Sequence, residues 1–308
     1  MYRRDTNAIL WDVVAECGVA RLQGHKGPVT AVTFLEGRGV VVTASKDTTV
    51  KFWELSTQHC FKTVTGHLSE IWGLVVVNKG SHLVTGSTDS ELRVWGLRWK
   101  GEEEIKEENG DKNKKVKKME EDTDEKEGEP EDDSSQLEVK RLGSVLRKGE
   151  GRVAGLVGDT TGRVLACHGT DNSLEMFVVC SEEEVAKRLA KKAKKEKKRT
   201  GEEVDPGSLV PSLQEMVRRL PAFRAGGKVR SVDVVVEGEE VRAVLVLGNN
   251  MVEQVRGELG GAQEEVVGAG RLELMGHRSD VRCVAFSSDN TAVATGSSEA
   301  VKVTPLLL

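Results

Sequence analysis

The sequence predicts an all-β chain, and three observations carry that expectation. Gly24-His25 returns as Gly66-His67 at a step of 42 residues, so the chain is built on an internal repeat. Between these markers run short segments rich in Val, Thr and Trp: "VTAVTFL", "GVVVTAS" and "TVKFWEL", then "IWGLVVV", "HLVTGS" and "LRVWGL". Glycine, asparagine, serine and aspartate punctuate them, the pattern of antiparallel strands joined by tight turns.

Each repeat carries the same four side chains at the same offsets. His25 is followed at 22 residues by Asp47, and His67 by Asp89. Thr43 and Thr85 stand four residues before the aspartates, and Trp53 and Trp95 six after them. A buried indole N–H needs an acceptor and a buried threonine needs a partner, so these sets suit a polar network inside a sheet. Thr, His and Asp could also form a nucleophilic triad. A nucleophile is needed once, however, and this set occurs twice with equal spacing.

A Gly-His dipeptide, a strand pair enclosing an aspartate and a strand ending in Trp resemble the WD repeat of β-propellers, whose period is about 40–45 residues. Trp11-Asp12 keeps the consensus dipeptide, whereas Trp53 is followed by Glu54 and Trp95 by Gly96. The resemblance implies a hydrogen-bonded chain pinning each blade. Trp53 would donate to Thr43, Thr43 to His25 and His25 to Asp47, with Trp95, Thr85, His67 and Asp89 as the second set. On that reading truncating Trp95 costs about 3–5 kcal/mol, and removing Thr85 about 1–3 kcal/mol.

Weaker copies extend the array. Asp171 lies six before Phe177, with Cys167 at the threonine position and Gly149 at the histidine position. Asn249 lies six before Val255, with Gly227 22 residues before it. Lacking the full set, these blades are expected to rest on strand pairing and packing alone. In the last copy Gly276-His277, Thr295 and Glu299 keep the offsets, but Pro305 takes the tryptophan position and removes a ladder donor. Asp5 stands six before Trp11, so the chain opens at the third strand of one repeat and closes after the first half of another, as a fragment or a gene model with wrong ends would. The fold expected is a partial β-propeller of WD repeats, about four blades plus two half-blades. The half-blades either pair to close a five-bladed ring, within the usual range of 4–8, or leave an open arc with unpaired edges.

Two insertions break the period. Residues 100–140 hold 17 acidic and 9 basic residues and few apolar ones, a composition of disordered linkers. They read either as a solvated loop between blades or as an acidic arm for basic partners. Residues 181–199, "SEEEVAKRLAKKAKKEKKR", read as a helix capped by Ser181 and Glu184 with a basic tail. Lys187, Arg188, Lys191, Lys192, Lys194, Lys195, Lys197, Lys198 and Arg199 are candidates for contact with RNA phosphates or for a nuclear localisation signal, against a solvated charged helix. A second helix, "SLQEMVRRL" from Ser212 with Glu215 as its box partner, is expected to stop at Pro221 and pack on the rim. The divisions are 1–98 for the first blades, 99–140 for the acidic insertion, 141–180 for a degenerate blade, 181–207 for the basic helix, 208–257 for the short helix and another degenerate blade, and 258–308 for a linker and a truncated repeat.

The bulk properties exclude several classes. "MYRRDTNAIL" has no apolar core of a secretory signal, and the longest apolar stretches are far short of a membrane span. Five scattered cysteines without a CxxC pair argue for a reducing compartment and against a zinc site. The sequence shows no P-loop, HExxH or GxSxG motif, so no enzyme, catalytic residue, metal or cofactor is expected. His25 and His168 are the histidines an enzyme would most readily use, and both read as structural.

Some stretches are more particular: "LSTQHCFKTVTGHLSEIWGLVVV", "TDSELRVW", "GRVLACHGTDNSLEMF" and "MGHRSDVRCVAFSSDN". They resemble the tandem-propeller WD-repeat subunits of the UTP-B group in the small-subunit processome. That resemblance implies a non-enzymatic scaffold in the nucleus and nucleolus. Its partners would be other processome proteins, the U-three small nucleolar RNA and pre-rRNA, with no membrane and no small-molecule substrate. Members of that group are longer, with two propellers and a helical C-terminal region. The alternative is a generic WD-repeat adaptor, a ubiquitin-ligase receptor or signalling hub, which has no need of the charged insertions.

Overall fold

The strands assemble into six small antiparallel sheets in chain order. The computed structural model describes residues 5–100, 137–149, 151–180, 182–200, 213–259, 266–273 and 277–305. The acidic run 101–136, Ser181, Ser212 and Gly276 lie outside the described residues, as do the side chains of Lys194, Lys195, Lys197, Lys198 and Arg199.

The first sheet has two strands, β1 (Ala8–Asp12) and β2 (Cys17–Leu22). The second is β3 (Val29–Leu35), β4 (Val40–Ser45), β5 (Val50–Glu54) and β6 (Cys60–Val64). The third is β7 (Ile71–Val77), β8 (His82–Ser87), β9 (Glu91–Trp99) and β10 (Leu137–Leu146). In the fourth, β11 (Val153–Gly158), β12 (Val164–Gly169) and β13 (Ser173–Val179) are joined by β14 (Val217–Arg219) and β15 (Phe223–Arg224), both on the outer edge of β13. The fifth is β16 (Val229–Glu237), β17 (Glu240–Leu247), β18 (Met251–Glu258) and β19 (Val266–Glu273). The sixth has three strands, β20 (Cys283–Phe286), β21 (Ala292–Gly296) and β22 (Val301–Pro305). Four full blades thus lie between two incomplete ones. No ladder joins β22 to β1 or β2 among the described residues, so the incomplete sheets remain separate.

Five apolar cores lie between the six sheets, each shared by two neighbours. Leu22 packs on Val41 and Trp53, and Phe52 and Val42 pack with Ile71 and Leu83. Leu92 and Val94 then pack with Leu165 and Phe177, Leu174 and Met176 with Val241 and Leu245, and Val244 and Val246 with Val284 and Val293. A blade has two apolar faces, so its middle strands are buried throughout, as in "VVVTAS" of β4. This stacking also explains why alternation is weak there and why each sheet depends on the next.

Each four-stranded meander alternates its turns between two ends. The connections entering the first strand and those between second and third strands emerge at one end, here called upper; the others emerge at the lower end. Both charged insertions leave from the same lower-end connection, between third and fourth strands. β9 stops at Trp99 and its partner β10 begins at Leu137; β13 stops at Val179 and β14 begins at Val217. The insertions therefore open inside blades rather than between them. Leu137–Leu146 belongs to the third sheet, so the boundary expected between residues 140 and 141 falls inside one strand.

The basic segment forms α1 (Glu182–Thr200), with Leu189 and Ala193 buried. The second expected helix is a single turn, α2 (Leu213–Met216), and does not reach Pro221. Val217, Arg218 and Arg219 pair instead with Val179, Val178 and Phe177. The open edge of β13 supplies ladder partners for those residues, which outweighs a short helix's marginal propensity.

Candidate functional site

The second sheet holds the first tetrad as a directed chain. Trp53 Nε1 donates to Thr43 Oγ1 at 2.8 Å. His25 Nε2 lies 2.7 Å from the same oxygen, and His25 Nδ1 lies 2.9 Å from Asp47 Oδ2. The Asp47 carboxylate only accepts, so Nδ1 carries the proton and Nε2 takes Thr43's. Burial lowers the His25 pKa although Asp47 opposes it. Burial pushes Asp47 up, but hydrogen bonds from Thr49, His25 and Lys26 outweigh it and bring it down to about 2. The turn that presents Asp47 needs a positive φ at Thr48.

The third sheet brings the same four residue types together but wires them differently. Trp95 Nε1 donates to Thr85 Oγ1 at 3.0 Å, and His67 Nε2 lies 2.9 Å from that oxygen. Asp89 does not bond His67. The guanidinium of Arg93 stands between them, with Nη1 2.6 Å from His67 Nδ1 and Nη2 2.7 Å from Asp89 Oδ2. Ser87 also donates to Asp89. A guanidinium only donates, so His67 Nδ1 must accept and its proton sits on Nε2. Thr85 then turns its own proton to the Arg93 carbonyl, 3.3 Å away. Burial, with Arg93 second, lowers the His67 pKa to about 4. The carried-over link from His67 to Asp89 is corrected accordingly: the same four residues hold the opposite tautomer.

The fourth and fifth sheets lack the tetrad but are not held by strand pairing alone. Glu175 stands two before Phe177, 1% exposed, and its carboxylate accepts from the backbone N–H of Lys148 and Gly149, both at 2.9 Å. Arg147, also buried, lies 3.5 Å from it and donates to the Gly151 carbonyl at 3.0 Å. Glu253 stands two before Val255 and accepts from the Gly226 N–H at 3.1 Å and from Arg271 at 2.7 Å. An acid in the strand thus clasps the loop where the tetrad would use histidine. The signal was present in the sequence: a lone glutamate inside "SLEMFVV" and "MVEQV".

The sixth sheet keeps part of the network. His277 Nε2 lies 3.0 Å from Thr295 Oγ1, while its buried Nδ1 has no hydrogen-bond partner among the described residues. Glu299 is exposed and its backbone N–H bonds the Ser297 hydroxyl. Thr304 pairs with Val293 as Trp53 pairs with Val41, so Thr304, not Pro305, occupies the tryptophan position. The turn before β22 is one residue shorter than its counterpart before β5, and the register follows it.

None of these groups is disposed for catalysis. Thr43 and Thr85 are buried under tryptophan with their hydroxyls engaged. His168 is buried against Gly155, which leaves no room there for a Cβ, and burial lowers its pKa to about 4. Burial, opposed by Arg147, pushes the Cys167 thiol up to about 12, which suits a small space-filler. Among the described residues no cluster of His, Cys, Asp and Glu could hold a metal ion, and no helix is long and apolar enough to cross a membrane. Of the basic candidates, Lys187, Lys191 and Lys192 are exposed on α1 and Arg188 is half-buried.

The upper end carries one feature that spacing did not show. A β-bulge interrupts the first strand of each full blade at its second residue: Thr30, Trp72, Ala154 and Arg230. Each of three reaches the next blade. Thr30 donates to the Ile71 carbonyl at 2.7 Å, the Trp72 ring lies under Arg152 at 4.0 Å, and Arg230 pairs with Asp280 at 2.8 Å. Bulges re-aim a side chain out of its ladder, and here they latch neighbouring blades.

Residues 17–54, 58–96 and 270–303 match the WD domain, G-beta repeat family. The chain is 40% identical over 175 residues to human "WD repeat-containing protein 3" and 41% identical over 174 residues to the protein of that name in Mus musculus. Each match takes in 54% of this chain but only 19% and 18% of the relatives, so the chain spans a small part of their length. A chain in the crystal structure of the mitotic checkpoint complex superposes with a TM-score of 0.60, covering 98% of this chain and 69% of that one. Its 13% identity makes that a likeness of fold. With its blades, tetrads and repeat matches, the fold is that of a partial WD40 β-propeller, and about half of the chain is similar to WD repeat-containing protein 3.

Proposed function

We propose that this protein is a non-enzymatic scaffold in ribosome biogenesis. It would be a nucleolar component of the small-subunit processome acting with the U-three small nucleolar RNA. The relatedness to WD repeat-containing protein 3 supports a propeller scaffold, and the likeness of its blades to the UTP-B-group subunits supports the processome. The observation that carries the RNA part is the position of α1. The helix is inserted at the lower end of a blade, held by Leu189 and Ala193, and presents Lys187, Lys191 and Lys192 to solvent. Such a lysine face binds phosphate without reading sequence.

The test is affinity purification of the endogenous protein from nuclear extract, with RNA and proteins identified. Small nucleolar RNA, pre-rRNA and other propeller subunits are the expected companions; ligase or signalling partners without RNA would leave the generic adaptor instead. Neutralising Lys191, Lys192, Lys194, Lys195, Lys197, Lys198 and Arg199 together should weaken RNA association and flatten its salt dependence. Unchanged RNA recovery and unchanged nucleolar accumulation would reduce α1 to a solvated helix.

A further inference from the structure

The upper end of the arc carries a stack that the blade network does not need. Trp72, lifted out of its ladder by the bulge in β7, is flanked by cations from both neighbouring blades. The Lys46 Nζ lies 4.0 Å from the ring centroid and the Arg152 guanidinium 4.0 Å. Lys46 comes from the turn between β4 and β5, and Arg152 from the residue before β11, so three successive blades meet at one indole. Lys46 also pairs with Glu70 at 3.3 Å, itself half exposed. Arg152 is exposed, and farther round the same end Lys228 is exposed beside Arg230. Cations held over an aromatic face keep their charge and lose mobility, which prepares them to meet an anion.

The geometry points to this stack as a docking surface for an extended peptide with acidic residues at alternating positions. The two cations are at most twice 4.0 Å apart. Residues i and i+2 of an extended chain are separated by roughly 6.6–7 Å and face the same way. A nucleic acid is the poorer fit, because single-strand sites add stacking platforms to positive grooves. Here the Trp72 indole is already covered by Lys46 and Arg152, and Glu70 and Asp280 interrupt the positive rim. The surface is at the opposite end of the blades from α1, so this inference goes beyond the RNA-scaffold reading and can fail without it.

The experiment uses the full chain and a fluorescein-labelled peptide of four Asp-Val repeats, followed by anisotropy as salt is raised from roughly 20 to 200 mM. Saturable binding that weakens with salt is expected. The double variant Lys46→Glu with Arg152→Glu should weaken it at least about tenfold, as charge reversal at a complementary contact does. Arg163→Glu, exposed at the lower end, should leave it unchanged. If the reversal variant loses its fold by circular dichroism, Lys46→Gln with Arg152→Gln reads the same contact. No saturable peptide binding, binding indifferent to both double variants, or a short oligouridylate binding through Lys46 and Arg152 while the peptide does not, would each overturn the assignment.

Discussion

The second and third sheets keep their loops with histidine, the fourth and fifth with glutamate, and the contrast shows what a blade requires. In every case the loop entering the first strand must be tied to the third strand beside it. Neutral His25 and His67 do this through a threonine and a tryptophan. Glu175 and Glu253 do it by accepting backbone N–H groups directly, with an arginine alongside. The histidine solution keeps a neutral ring at the loop and sets its charges one step behind, at Asp47 and in the Arg93–Asp89 pair. The glutamate solution buries a charge and is stable only while its partners stay in place.

That difference can be broken most forcefully in the fourth sheet. Glu175→Ala strands Arg147, whose side chain is fully buried, and should cost about 3–5 kcal/mol in urea unfolding. Glu253→Ala should cost less, about 1–3 kcal/mol, because Arg271 is 63% exposed and can return to water. Equal losses would mean that the two acids act only through the loop N–H groups. A smaller effect separates the two tetrads. Thr43→Val and Thr85→Val each strand an indole N–H and should cost about 1–3 kcal/mol. Thr43→Val also strips His25 Nε2 of its donor, whereas Thr85→Val leaves His67 an unanswered N–H. Proton shifts of the two rings, read by NMR in each variant, should therefore differ in which nitrogen is protonated.

Much of this was legible in the residues. The repeat and the recurrence of both sets of four followed from spacing, because side chains at fixed register recur at fixed offsets; their wiring came from the resemblance and differs at His67 and Asp89. What escaped has a common cause. Arg93, Glu175 and Glu253 alternate with apolar strand positions, the pattern of a solvent-facing charge, yet all three are buried on the loop that enters their own blade. The place of the insertions escaped because "LEVKRLGSVL" follows the acidic run and reads as the opening of a repeat, while its partner is Glu91–Trp99 behind it. The "VRR" strand escaped because an unpaired edge on β13 is a property of the assembled sheet. The slip from Pro305 to Thr304 came from a turn one residue short, which offsets alone do not register.

The mildest test of the comparison is pH. Burial lowers the pKa of His25, His67, His82 and His168, with His67 and His168 near 4. A base with a depressed folded pKa binds fewer protons folded than unfolded. Its contribution is complete above the unfolded value of about 6.5 and is lost as pH falls toward the folded value. Asp233 acts in the opposite sense, since burial raises its pKa despite hydrogen bonds from the Phe286 and Val234 N–H groups. With four histidines against one aspartate, the urea midpoint should fall between pH 7 and 4 and stay level from 7 to 8. Arg93→Gln keeps a donor for His67 Nδ1 but removes the repelling charge, so the slope should become shallower in that variant. If instead the slope is unchanged, desolvation alone sets the His67 pKa, and the reversed tautomer of the third sheet is a matter of hydrogen bonding without electrostatic consequence.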